Sequence, residues 1–114
     1  MELLWTNSSP NSAFGEQNIS ISNKTSYRAF IVIVKEDTSK VHMNNFLVVN
    51  GTRTIAQSIW YGSYANKYYS RNLNAETNST SIAIGPCTLY SDLTSATTTI
   101  NNNVAIPISI YGIK

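Results

Sequence analysis

Apolar side chains recur with a period of two along this sequence, and that feature restricts what the chain can fold into. Val104, Ile106, Ile108 and Ile110 occupy every second position near one end. Side chains on an extended chain point alternately to opposite faces, so all four are expected on one side of a strand and in the core. Leu3 or Trp5 is expected near that strand or on the facing sheet, because chain ends often lie close together in compact domains. "NISISN" repeats the alternation with Ile19 and Ile21, whereas the spacing of an amphipathic helix is nowhere convincing. "LLW", "YRAFIVIVK", "VHMNNFLVVNG", "TIAQSIW", "YYSRNLN", "TSIAIG" and a weaker "ATTTI" complete the strand-like segments. Asn50-Gly51 is a turn signal between two of them, and Gly85-Pro86 is a break. Eight or nine short strands separated by turn residues predict an all-β domain, an antiparallel β-sandwich of jelly-roll-like type, with a small barrel as the other closure. Pro107 has no backbone donor and is expected at an edge or a bulge.

The 114 residues, 42% of them hydrophobic, suit one domain over residues 1–114, since chains of this size bury one core and seldom two. Only 12% are charged, about half the usual level, and Ser, Thr and Asn fill the gap. Such a surface is polar without being ionic. With a net charge of +2 and scattered Lys and Arg, there is no basic stripe to neutralise a row of phosphates, so nucleic acid is not an expected partner. No apolar run approaches the roughly 18 residues of a spanning helix, which argues against membrane insertion. "MELLWTNSSP" carries an acid where a secretion signal is basic, and its apolar run is short, so no signal peptide is expected.

The residue types that carry chemistry are scarce. His42 is the one histidine, so any Ser-His-Asp or Cys-His arrangement would have to be built around it, and its setting in "VHMNN" reads as a partly exposed strand residue. Cys87 has no partner for a disulfide and reads as a small buried hydrophobe. Glu36 and Asp37 read as solvated turn charges, and the dispersed acids show none of the usual metal-ligand spacings. The expectation is a protein that is not an enzyme, with no catalytic residues, no metal and no cofactor.

Two surfaces stand out instead. From Ala29 to Val34 both alternating sets are apolar: Phe30, Val32 and Val34 on one face, Ala29, Ile31 and Ile33 on the other. Only one face of a sheet meets the core of a two-layer domain, so Ile31 and Ile33 need a second cover, either a crossing segment of the same chain or another subunit. In "WYGSYANKYY", Trp60, Tyr61, Tyr64, Tyr68 and Tyr69 cluster among small polar residues. Aromatic rings with polar tips suit cross-strand packing, a protein interface, or stacking on a sugar ring, and at least two of these five are expected at the surface if they form a contact site.

The start "LLWTNSSPNSAFGEQNISI" and the end "IPISIYGIK", with "YYSRNLN" and "SIAIG" between them, resemble small β-domains of bacteriophage and prophage structural proteins. Such domains open with Leu-Trp-x-Asn, continue through a Phe and a Gln to an alternating strand, and close on Pro-x-x-Ile-Tyr-Gly-Ile. The matching positions are Trp5, Asn7, Phe14, Gln17, Ile19, Arg71, Pro107, Ile110, Tyr111 and Gly112; residues 36 to 70 match only as a strand pattern. The resemblance implies a virion component of tail, baseplate, fibre or head surface, made in the bacterial host cytoplasm. Its implied partners are copies of itself, as a homotrimer, and other virion proteins. The alternative is a carbohydrate-binding module that recognises host cell-surface glycan. Because the motif residues are mostly apolar or turn-forming, the resemblance implies a shared fold and no shared chemistry.

Overall fold

The computed structural model describes residues 1–39, 42–59, 67–76, 78–90 and 98–114. Within them lie ten strands: β1 (Glu2–Thr6), β2 (Gln17–Ser20), β3 (Ala29–Asp37), β4 (Met43–Val49), β5 (Arg53–Ile59), β6 (Tyr68–Asn74), β7 (Ser81–Ile84), β8 (Thr88–Tyr90), β9 (Thr98–Ile100) and β10 (Val104–Ile113). A single 3-10 turn covers Lys24–Ser26. The strands form two antiparallel sheets. One has the order β1-β10-β3-β4; the other runs β2-β7-β6-β8-β9, with β5 also paired to β6. Packed face to face, they make a β-sandwich.

The inner faces follow the sequence alternation. Phe30, Val32 and Val34 of β3 are fully buried, and Val32 sits in register with Ile110 on one side and Phe46 on the other. From the opposite sheet, Tyr69, Leu73, Ile82 and Ile84 close the same core. Asn50-Gly51 turns the chain from β4 in one sheet to β5 in the other, with Gly51 at φ 87, a conformation that glycine adopts without steric cost. The Asn50 side chain donates to the carbonyls of Lys24 and Tyr27, both at 3.0 Å. Lys24 itself is buried, donating to the carbonyls of Ala75 at 2.7 Å and Asn78 at 2.6 Å. Three loops are thereby tied at one end of the sandwich.

β10 departs from simple alternation. Its register against β3 shifts between Pro107 and Ser109, and Ala105 has φ 54. The shift puts Pro107 at a bulge of an interior strand, where a missing donor is tolerated. Val104, Ala105, Ile106 and Ile110 are buried, while Ile108 is half-buried, because the extra residue takes it out of phase. Asn7 clamps this bulge: its backbone N–H donates to the Ile108 carbonyl at 2.9 Å and its side chain to the Pro107 carbonyl at 2.8 Å. β1 pairs directly with β10, setting Leu3 opposite Tyr111 and Trp5 opposite Ile110. A Cβ on Gly112 would lie 2.5 Å from the Tyr27 ring and 2.8 Å from Leu4, so the ring occupies space that only glycine leaves open. The Tyr27 hydroxyl donates to Glu2, which fastens the opening strand beside the closing one.

Among the described residues Arg71 is the largest fully buried side chain. In β6 it alternates with Tyr69 and Leu73 and so points inward with them. Its guanidinium donates to the carbonyls of Gly85 at 2.7 Å, Phe14 at 2.7 Å and Val104 at 3.3 Å. It also lies 5.5 Å from the centre of the Phe14 ring, which in turn meets Trp5 edge-on with centroids 6.0 Å apart. Arg71, Phe14, Trp5 and Ile110 thus form a chain of neighbours that joins both sheets. Replacing Arg71 by Leu keeps most of the volume but strips three carbonyls of their donor, two of them fully buried. Since each such acceptor costs about 1–3 kcal/mol, Arg71→Leu is expected to lower stability by about 3–5 kcal/mol and Asn7→Ala by about 1 kcal/mol. Urea unfolding midpoints measure both, and an unchanged midpoint for Arg71→Leu would contradict the role given to its guanidinium.

Candidate functional site

The outer face of the four-stranded sheet is built from residues that alternate with the core set. Ile31 and Ile33 lie on it, half-buried. Following the pairing outward from Ile31, Leu3 stands opposite Tyr111, Tyr111 opposite Ile31, and Ile31 opposite Leu47. One apolar side chain from each of the four strands therefore falls in a single row. Leu3 and Leu47, at the two ends, are each 54% exposed, and Val49 extends the patch along β4, while Asn45 separates Leu47 from exposed Met43. A depression of about 430 Å³ opens at its edge, between Leu3, Asn7, Pro10, Met43, Ile108 and Tyr111. β4 is an outer strand with no Lys or Pro between Met43 and Val49. β5 covers part of that edge instead, the Thr54 hydroxyl donating to the Leu47 carbonyl at 2.8 Å.

The aromatic stretch divides. Trp60, Tyr61 and Tyr64 lie outside the described residues. Tyr68 is half-buried on the outward side of β6 and stacks on Tyr90, with ring centroids 4.3 Å apart and planes within 2°. Tyr69 is not a surface contact. As its neighbour in the alternation it is fully buried, with its hydroxyl accepting from the Asn44 amide at 2.9 Å. Burial raises the Tyr69 phenol above its ordinary pKa.

Glu36 and Asp37 also correct their reading as solvated turn charges. β3 runs through them because β10 continues to pair with it as far as Val104 opposite Asp37, and both acids are buried. Glu36 accepts or shares a hydrogen bond with His42 Nδ1 at 3.0 Å, and its backbone N–H donates to the His42 carbonyl at 2.9 Å. The histidine ring is well exposed, so the pair anchors the β3–β4 connection at the surface. Among the described residues no three His, Cys, Asp or Glu side chains converge as metal ligands. No helix among them is long and apolar enough to cross a membrane.

Against known proteins, the chain matches no family model, no curated protein and no solved structure.

Cys87 lies fully buried beside Arg71. Burial pushes its thiol up to about 11, against the weaker opposite pull of the guanidinium. A thiol so raised holds its proton at neutral pH, and only the thiolate attacks. Iodoacetamide at pH 8 is therefore expected to leave the folded protein unmodified and to alkylate Cys87 once urea unfolds the chain. Mass spectrometry before and after unfolding reads the difference, and rapid alkylation of the folded form would contradict this placement.

Proposed function

We propose that the chain is a structural subunit of a bacteriophage particle, a tail, baseplate, fibre-associated or head-surface component. It works without catalysis, by packing against copies of itself and against other virion proteins. The observation that carries this reading is the apolar row Leu3, Tyr111, Ile31 and Leu47 across the outer face of the four-stranded sheet. Contiguous apolar surface of this kind marks partner sites, and exposed Val49 continues it along β4. The sequence resemblance supplies the virion setting and a copy number of three.

The apolar face makes the reading testable by charge insertion. Leu47 is half exposed, so Leu47→Asp leaves the subunit folded, whereas Ile33→Asp places a charge nearer the middle of the face. An unpaired carboxylate forced into an interface costs several kcal/mol. Light scattering is expected to give a trimer mass for the natural chain and a folded monomer for both variants, with an unchanged sheet spectrum for Leu47→Asp. A natural chain that stays monomeric at high concentration overturns self-assembly through this face.

A further inference from the structure

The outer face of the six-stranded sheet has a different chemistry. Along β6 the residues that alternate with buried Tyr69, Arg71 and Leu73 are Tyr68, Ser70, Asn72 and Asn74. One strand thus presents a ring, a hydroxyl and two amides in a line about 20 Å long. Neighbouring strands extend it sideways, since Asn18 of β2, Ala83 of β7, Asn74 of β6 and Arg53 of β5 fall in one cross-strand row. Where β7 passes, Ala83 and Gly85 contribute almost no side chain. A Cβ on Gly85 would stand 3.3 Å from that of Asn72, so the glycine leaves room for the amide. The result is a trough of about 400 Å³, with Glu16, Gln17 and Asn18 on the β2 side and Arg53, Asn72 and Asn74 on the β6 side.

The bonding of these groups narrows the ligand. Asn74 commits its oxygen to the Glu76 N–H at 2.8 Å, which leaves its NH₂ group available. Arg53 is engaged with Glu76, Nε at 3.3 Å and Nη2 at 3.2 Å from one carboxylate oxygen. The side-chain amides of Asn18 and Asn72 have no hydrogen-bond partner among the described residues. Amides offer both donors and acceptors, as hydroxyl groups do, while Glu76 already neutralises Arg53 and the remaining lining charge, Glu16, disfavours an anion. A phosphate or sulfate would be better met by several cations in a fixed fork. Apolar contact is supplied by exposed Ile55, opposite Asn72, and by the stacked Tyr68–Tyr90 pair farther along the ladder.

We propose that this face binds a neutral oligosaccharide, with the amide trough hydrogen-bonding its hydroxyls and the tyrosine pair packing on the apolar face of a ring. The site is separate from the assembly face and stands or falls without it. A glycan array carrying neutral, sialylated and phosphorylated oligosaccharides is the first test, followed by NMR titration of the full chain with the strongest neutral binder. Binding to neutral glycans is expected, with shifts centred on Asn18, Asn72, Asn74, Ala83 and Gly85. Asn72→Ala and Tyr68→Ala are each expected to weaken it about tenfold, the worth of one good contact. Ala83→Leu, which fills the trough without removing a polar group, is expected to do the same, and Leu47→Asp on the opposite sheet to leave affinity unchanged. Circular dichroism confirms that each variant is folded. Binding to no neutral glycan, binding only to charged ones, or unweakened binding by folded Asn72→Ala and Ala83→Leu overturns the proposal.

Discussion

The sandwich depends on one buried cation. A guanidinium taken out of water is costly unless its donors are met, and Arg71 is met by backbone carbonyls of the segment before β2, the segment after β7, and the start of β10. Of its donor atoms, Nε is without a hydrogen bond. Burial draws its pKa below the ordinary value, yet an arginine side chain keeps its proton at any ordinary pH. The charge must therefore be accommodated, and the three carbonyls are held where they are because it is there. An apolar residue of equal size would fill the space without specifying which loops meet.

This tie has a consequence for both surfaces. β6 turns Tyr69, Arg71 and Leu73 inward and Tyr68, Ser70, Asn72 and Asn74 outward, so the strand that anchors the core also lays out the polar face. On the other sheet β3 does the corresponding work, with Phe30, Val32 and Val34 inward and Ile31 and Ile33 outward. A slip of one residue in either strand would exchange its faces completely. Arg71 guards against a slip in β6, because in the flipped register its charge would leave all three carbonyls. The two outer faces are consequently chemically distinct, one crossed by an apolar row from Leu3 to Leu47, the other rich in amides.

Much of this was legible in the sequence. Period-two alternation located β2 and β10, a run apolar on both faces located β3, Asn50-Gly51 located the β4–β5 turn, and Pro107 announced an edge or a bulge. The half-burial of Ile108 was not legible, because the bulge that displaces it depends on pairing with β3 and on the Asn7 clamp, both distant in the chain. Glu36 and Asp37 looked like turn charges, since nothing local shows that β10 pairs with them. β8 escaped notice as three residues after a Gly-Pro break. The inward turn of Arg71 could have been found, because it shares its phase with Tyr69 and Leu73. The amide trough could not, since Asn18, Asn74 and Arg53 come together only through strand order.

Hydroxyl-radical footprinting of the assembled protein tests the central claim, that the apolar outer face is the one that packs subunits. The assembly and a dispersed form are oxidised side by side, and side-chain modification is read by mass spectrometry. The account predicts that Leu3, Met43, Leu47 and Tyr111 lose reactivity on assembly, while Tyr68, Ile55 and Ile100 on the six-stranded sheet keep theirs. Protection confined to the six-stranded sheet, or equal on both, would contradict it.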